Sequence, residues 1–85
     1  MKIIFTKHAE EKFLKLENEG WKFSPKDIKE TVKDPYFSEI DREREVIIAL
    51  KRWDQSHDLR VIYRKENDII MVITFYPAEK GRYLK

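Results

Sequence analysis

The stretch DLRVIYRKENDIIMVITFYP, residues 58–77, is the clearest indication of the fold because it contains two strand-like runs joined by a turn. Both runs are rich in β-branched and aromatic residues, which favour strands. Asn67 and Asp68, between the runs, tolerate the backbone geometry of a tight turn. We therefore predict a β-hairpin whose regular pairing ends at Pro77, because proline has no N–H to donate to the ladder.

Two further strands precede this hairpin, and two helices precede those strands. Ala9, Phe13 and Leu16 form one apolar stripe at helical spacing, and Gly20 ends that helix. The second helix lies in SPKDIKETVKDP, where Ser24 is the expected cap. The predicted helices are residues 7–19 and the segment from Pro25 to the Asp34-Pro35 stop, and the predicted strands are residues 2–6, 36–40, 45–53, 58–65 and 69–77.

The order of these elements is β-α-α-β-β-β-β. Two helices followed by a meander of strands indicate an α+β fold in which the two N-terminal helices pack on a twisted antiparallel sheet. We expect a single domain over residues 1–85, since a chain of 85 residues is the size of one domain.

Composition narrows the class of protein. The chain has no cysteine, no apolar run near the roughly 20 residues that cross a bilayer, and no signal-peptide pattern. We therefore expect a cytoplasmic protein without a membrane partner. Charged residues make up 40% of the chain, a composition that resembles thermophile proteins.

Charge is distributed unevenly along the chain. The net charge is only +2, but residues 46–85 hold eight basic and five acidic side chains, a balance of +3. A basic bias of this kind can attract phosphate. It is weaker than the strongly basic face of a protein that binds nucleic acid alone.

Strand alternation assigns side chains to the two faces of the sheet. Leu59, Val61 and Tyr63 are expected to face the helices, and Arg60 and Arg64 to face away from them. Residues of the neighbouring strands are expected on the same open face: one of Lys51 or Arg52, then Ile70, Val72, Thr74 and Tyr76.

The C-terminal segment YPAEKGRYLK, residues 76–85, adds further basic and aromatic groups. We expect a turn at Gly81 to place Lys80, Arg82 and Tyr83 at the border of the open face. Such a mixture suits RNA, since arginine binds phosphate and tyrosine stacks on bases. The simpler interpretation is an ordinary solvated sheet face.

Three segments together resemble the RelE/ParE toxin superfamily, in particular its BrnT-like branch or a related small branch of domains of unknown function. They are TKHAEEKF, SPKDIKETVKDP and LRVIYRKENDIIMVITFYPAEKGRY. The resemblance implies a toxin-like protein that acts as a metal-independent mRNA endoribonuclease without a cofactor, with mRNA or the ribosome and an antitoxin as partners. By position it implies catalytic roles for His8, Arg60, Arg64, Arg82 and Tyr83. The RNA-binding residues would be Lys51, Arg52, Tyr76 and Lys80.

The alternative is a non-catalytic interaction domain that binds a protein partner or a second copy of itself as a homodimer. Asp54, His57 and Asp58 lie close together in the chain, but one imidazole in a loop is weak support for a metal, and no metal site is predicted.

Overall fold

The computed structural model describes residues 2–80, and it has the predicted order β-α-α-β-β-β-β. The protein is α+β, as expected. Neither helix in the described part is long and apolar enough to span a bilayer. The elements are β1 (Lys2–Phe5), α1 (Lys7–Asn18), α2 (Pro25–Lys33), β2 (Phe37–Asp41), β3 (Val46–Arg52), β4 (His57–Glu66) and β5 (Ile69–Glu79).

Local signals set both helix boundaries. The hydroxyl of Thr6 accepts a hydrogen bond from the Ala9 N–H and caps α1. Gly20 follows α1 with φ of 97°, a left-handed conformation that glycine adopts without strain. At α2, the predicted cap Ser24 forms a capping box with Asp27, and Pro25 occupies the first turn.

In the part of the chain that the structure describes, the sheet has five strands in the order β1-β5-β4-β3-β2. Strands β2 to β5 are antiparallel neighbours, which confirms the predicted meander. Strand β1 instead pairs in parallel with residues 69–72 of β5. A parallel neighbour requires a crossover, and α1 and α2 lie in the connection that leads from β1 to the meander.

Both helices pack on one face of the sheet, which we name the helix face. Leu59, Val61 and Tyr63 of β4 are buried there, as predicted. The opposite face, which we name the open face, carries the half-buried Arg60 and the exposed Arg64. The core on the helix face also contains Ala9, Leu16, Phe23, Ile28, Val32, Ala49, Ile70, Val72 and Phe75.

The predicted face assignment of β5 is correct for one half of the strand and wrong for the other. Thr74 lies opposite Ile62 of β4, whereas Val72 lies opposite Tyr63, so β5 has one extra residue at this point. A bulge of this kind reverses the alternation of side chains. Tyr76 therefore lies on the open face as expected, but Ile70 and Val72 are buried on the helix face.

The prediction that regular pairing ends at Pro77 is also wrong, because β5 pairs with β4 as far as Glu79. The Lys80 N–H donates to the Ser56 carbonyl at 2.8 Å. Bonding to β4 alternates along an antiparallel strand, so the Pro77 nitrogen points to the other side of β5. In the described part of the chain, β1 pairs with residues 69–72 of β5 and does not reach Pro77. The missing N–H of Pro77 therefore breaks no ladder hydrogen bond on that side of β5.

Candidate functional site

Two cationic side chains lie near the ring of Tyr76. The guanidinium carbon of Arg60 is 5.3 Å from the ring centroid, and the Lys12 ammonium nitrogen is 5.8 Å from it. Both distances are within the range of a cation–π contact. We name Lys12, Arg60 and Tyr76 the edge cluster, because the three residues meet beside β5.

Sheet register and helix packing bring the edge cluster together. Arg60 and Tyr76 are directly opposite each other on β4 and β5, and both point to the open face. Lys12 comes from α1, on the other side of the sheet. Phe13 packs against the buried Phe75 at 4.6 Å between ring centroids, which places the neighbouring Lys12 beside Tyr76. Strand β1 pairs with β5 at residues 69–72, and Tyr76 lies beyond this paired stretch. The long side chain of Lys12 can therefore reach around the edge of β5 to the Tyr76 ring.

His8 lies on α1 rather than on the sheet. It is exposed and one helical turn before Lys12, so both side chains project from the same side of the helix. The structure therefore places the predicted imidazole on the flank that carries the edge cluster.

Arg64 and Lys80 lie farther from the edge cluster. Arg64 is exposed on the open face four residues beyond Arg60, or about 13 Å at the usual rise of a strand. Lys80 is exposed just after β5. Within residues 2–80, the basic residues of the open face are therefore distributed along the sheet and do not form one compact group.

Arg52, not Lys51, is the basic residue of β3 on the open face. Its Nε–H donates to Asp58 at 2.9 Å, and Asp58 is only 1% exposed. Lys51 points to the helix face, where its ammonium group lies 3.9 Å from Asp34. The prediction that one of Lys51 or Arg52 shares the open face with Arg60 is therefore confirmed, and the residue is Arg52. Lys51, which was also predicted to bind RNA, lies on the opposite face because side chains alternate along β3.

Asp58 also accepts a hydrogen bond of 2.6 Å from the hydroxyl of Tyr36. Partial burial and, next, this bond to Asp58 raise the pKa of Tyr36 above its ordinary value. Arg52 lies 5.5 Å from the ring of Tyr36, so three polar side chains form one network at this end of the sheet. Arg52 thus has a structural role that the sequence did not reveal.

Asp54 holds the loop that connects β3 and β4. Its carboxylate accepts from the N–H groups of Ser56 and His57, both at 2.8 Å, and lies 3.0 Å from the His57 imidazole. The Ser56 bond is the largest cause that lowers the pKa of Asp54. Over residues 2–80, no group of three or more histidine, cysteine, aspartate or glutamate side chains could hold a metal ion.

Two of the predicted site residues, Arg82 and Tyr83, lie outside the described residues. Lys12, by contrast, belongs to the edge cluster but was not predicted as a site residue. Its spacing of four residues from His8 was the available signal, but this spacing also fits an ordinary solvated lysine.

The arrangement suits an anionic ligand with a flat ring. Cations beside Tyr76 can bind phosphate oxygens, while an aromatic face can stack on a base. Comparison of the chain with protein-family models, with curated proteins and with solved structures gives no match. The function is therefore inferred from the side chains themselves.

Proposed function

We propose that the chain is a toxin-like RNA-binding protein whose edge cluster holds a nucleotide and its phosphate. The observation that carries this proposal is the ring of Tyr76 with Arg60 at 5.3 Å and Lys12 at 5.8 Å. The positive balance of residues 46–85 supports it, and membership of the RelE/ParE toxin superfamily belongs to the same proposal. A cytoplasmic location, mRNA or the ribosome as target, and an antitoxin as inhibitor belong to the same proposal.

The chemistry proposed for the site is cleavage of RNA without a metal. The 2′-hydroxyl attacks the adjacent phosphorus, and the bond to the 5′-oxygen breaks. His8, on the same flank as Lys12, would accept the proton from the 2′-hydroxyl. Arg60 and Lys12 would stabilise the charge that develops on the phosphate oxygens, and water would supply the proton of the leaving 5′-oxygen.

The decisive experiment measures RNA binding and RNA cleavage, with and without ribosomes, for the wild type and the Arg60→Ala variant. Arg42→Ala is the matched control, because Arg42 is exposed in the β2–β3 turn away from the edge cluster. We expect Arg60→Ala to lose salt-sensitive binding and cleavage, and Arg42→Ala to retain both. A wild-type protein that neither binds nor cleaves RNA would overturn the proposal.

A non-catalytic interaction domain is the second candidate. Ile69 and Met71 are exposed by 42% and 38% and lie next to each other on the open face of β5. Adjacent exposed apolar side chains are typical of surfaces that bind another protein. A wild type that neither cleaves RNA nor binds it in a salt-sensitive way would favour this candidate over the edge cluster.

A further inference from the structure

An apolar strip crosses the open face from the row of Ile48, Ile62 and Thr74 to the turn between β4 and β5. Its members are Ile4, Ile48, Ile62, Ile69 and Met71, which line two adjoining hollows of about 350 and 570 Å³. Arg64 contributes to the wall of both hollows. Ile70 and Val72 point to the core, so Ile69 and Met71 point away from it.

The shape of this strip fits a broad partner better than a small ligand. Both hollows have volumes that are ordinary for ligand pockets. Their walls, however, come from one face of the sheet and from the turns at its end, and the helices contribute no lining residue. A small molecule held on one side would bury too little of its surface, whereas a flat protein surface could cover the whole strip.

Charges at the border of the strip indicate which partner fits. Arg44 and Arg64 are positive, while Glu43, Glu45 and Glu66 are negative, and all five line the hollows. A nucleic acid or an anionic membrane would meet the glutamates as like charges, and a basic peptide would meet the arginines. A second copy of this chain offers both signs, and a two-fold contact brings the same patch from both copies together.

We propose that the apolar strip is the contact between two copies of this chain in a two-fold homodimer, with Arg64 of each copy facing glutamates of the other. A stable interface buries about 800 Å² on each partner. One face of a molecule that measures 34 × 31 × 21 Å can supply that area. The partner of the proposed interaction domain would then be a second copy of this chain. Association through the strip does not require RNA binding.

Sedimentation velocity of the full chain over a range of concentrations tests the homodimer. Met71→Glu places a charge in the strip, and Leu14→Glu is the matched control because Leu14 is 64% exposed on α1, away from the strip. We expect a dimer for the wild type and for Leu14→Glu, and a monomer for Met71→Glu. A far-ultraviolet spectrum confirms that each variant is folded.

Arg64→Glu is a second variant that keeps the test decisive if Met71→Glu does not fold, because Arg64 is exposed. We expect its dimer to dissociate at least about tenfold more readily, as for the loss of a central interface contact. A monomeric wild type, a dimer that persists in both variants, or equal dissociation of Leu14→Glu would overturn the homodimer.

RNA binding measured on the same preparations separates this inference from the RNA proposal. A monomeric wild type that binds RNA overturns the homodimer alone. A dimer that does not bind RNA overturns the RNA proposal alone and leaves the strip as the interface.

Discussion

Arg60 and Tyr76 are directly opposite each other on β4 and β5, and the Arg60 guanidinium carbon lies 5.3 Å from the Tyr76 ring centroid. Because both side chains are half-buried, each restricts the positions that the other can take. The pair presents a cation and an aromatic ring that are already arranged before any ligand binds, which reduces the ordering cost of binding.

The ring of Tyr76 is expected to contribute more to RNA affinity than its hydroxyl. Tyr76→Ala should weaken binding of a short single-stranded RNA by about 1–3 kcal/mol, the usual contribution of a base stacked on an aromatic side chain. Tyr76→Phe, the matched control, should stay close to the wild type. Fluorescence anisotropy titrations give both values, and an equal loss in the two variants would show that the hydroxyl makes the contact.

Lys12 is expected to contact one phosphate. Removing one phosphate contact to a single strand lowers the slope of log affinity against log salt by about 0.7. Lys12→Ala should show this change, and Lys29→Ala, at an exposed position of α2, should not. Titrations at several salt concentrations measure the slope, and an unchanged slope in Lys12→Ala would exclude Lys12 from the phosphate site.

Asp58 is expected to stabilise the sheet through its bonds with Arg52 and Tyr36. Asp58→Ala leaves both donors without this acceptor, so the free energy of unfolding should fall by about 1–3 kcal/mol. Asp34→Ala is the control, because its side chain is 91% exposed and its contact with Lys51 is long at 3.9 Å. Urea denaturation measures both variants.

For Asp34→Ala the expected change is below about 1 kcal/mol, as for exposed ion pairs. Equal losses of unfolding free energy in Asp58→Ala and Asp34→Ala would mean that the buried Asp58 network stabilises the fold no more than an exposed ion pair does. Tyr36→Phe and Arg52→Ala then identify which donor accounts for the loss.

Asp54 is expected to make stability depend on acid pH. The Ser56 N–H, and after it the other hydrogen bonds at this carboxylate, lower its folded-state pKa below the ordinary 3.8. A lowered folded-state pKa contributes stability that is fully present above the unfolded-state pKa and is lost as the pH falls through the folded value.

Asp54→Ala should therefore lose less stability than the wild type when the pH falls from neutral to about 3, below the ordinary pKa of aspartate. Urea midpoints at several pH values give the comparison. Parallel curves for the two proteins would show that the turn does not depend on ionised Asp54.

Much of the fold could be predicted from the sequence because the relevant interactions are local. The capping box of Ser24 and Asp27 and the terminating Gly20 act within a few residues of the chain. Alternation along β4 likewise depends on backbone geometry, so Leu59 and Arg60 were assigned to the correct faces. These features follow from neighbouring residues and require no knowledge of distant contacts.

Tertiary structure alone decided the features that join distant parts of the chain. The bulge near Ile73 exists because β5 must match β4, and it reverses the faces of residues 69–72. Pro77 stays within a paired strand because its nitrogen points away from β4. Lys12 reaches Tyr76 only because the packing of Phe13 on Phe75 brings α1 beside β5. Sequence alone therefore determined the elements and their order, whereas long-range packing decided which charged side chains meet.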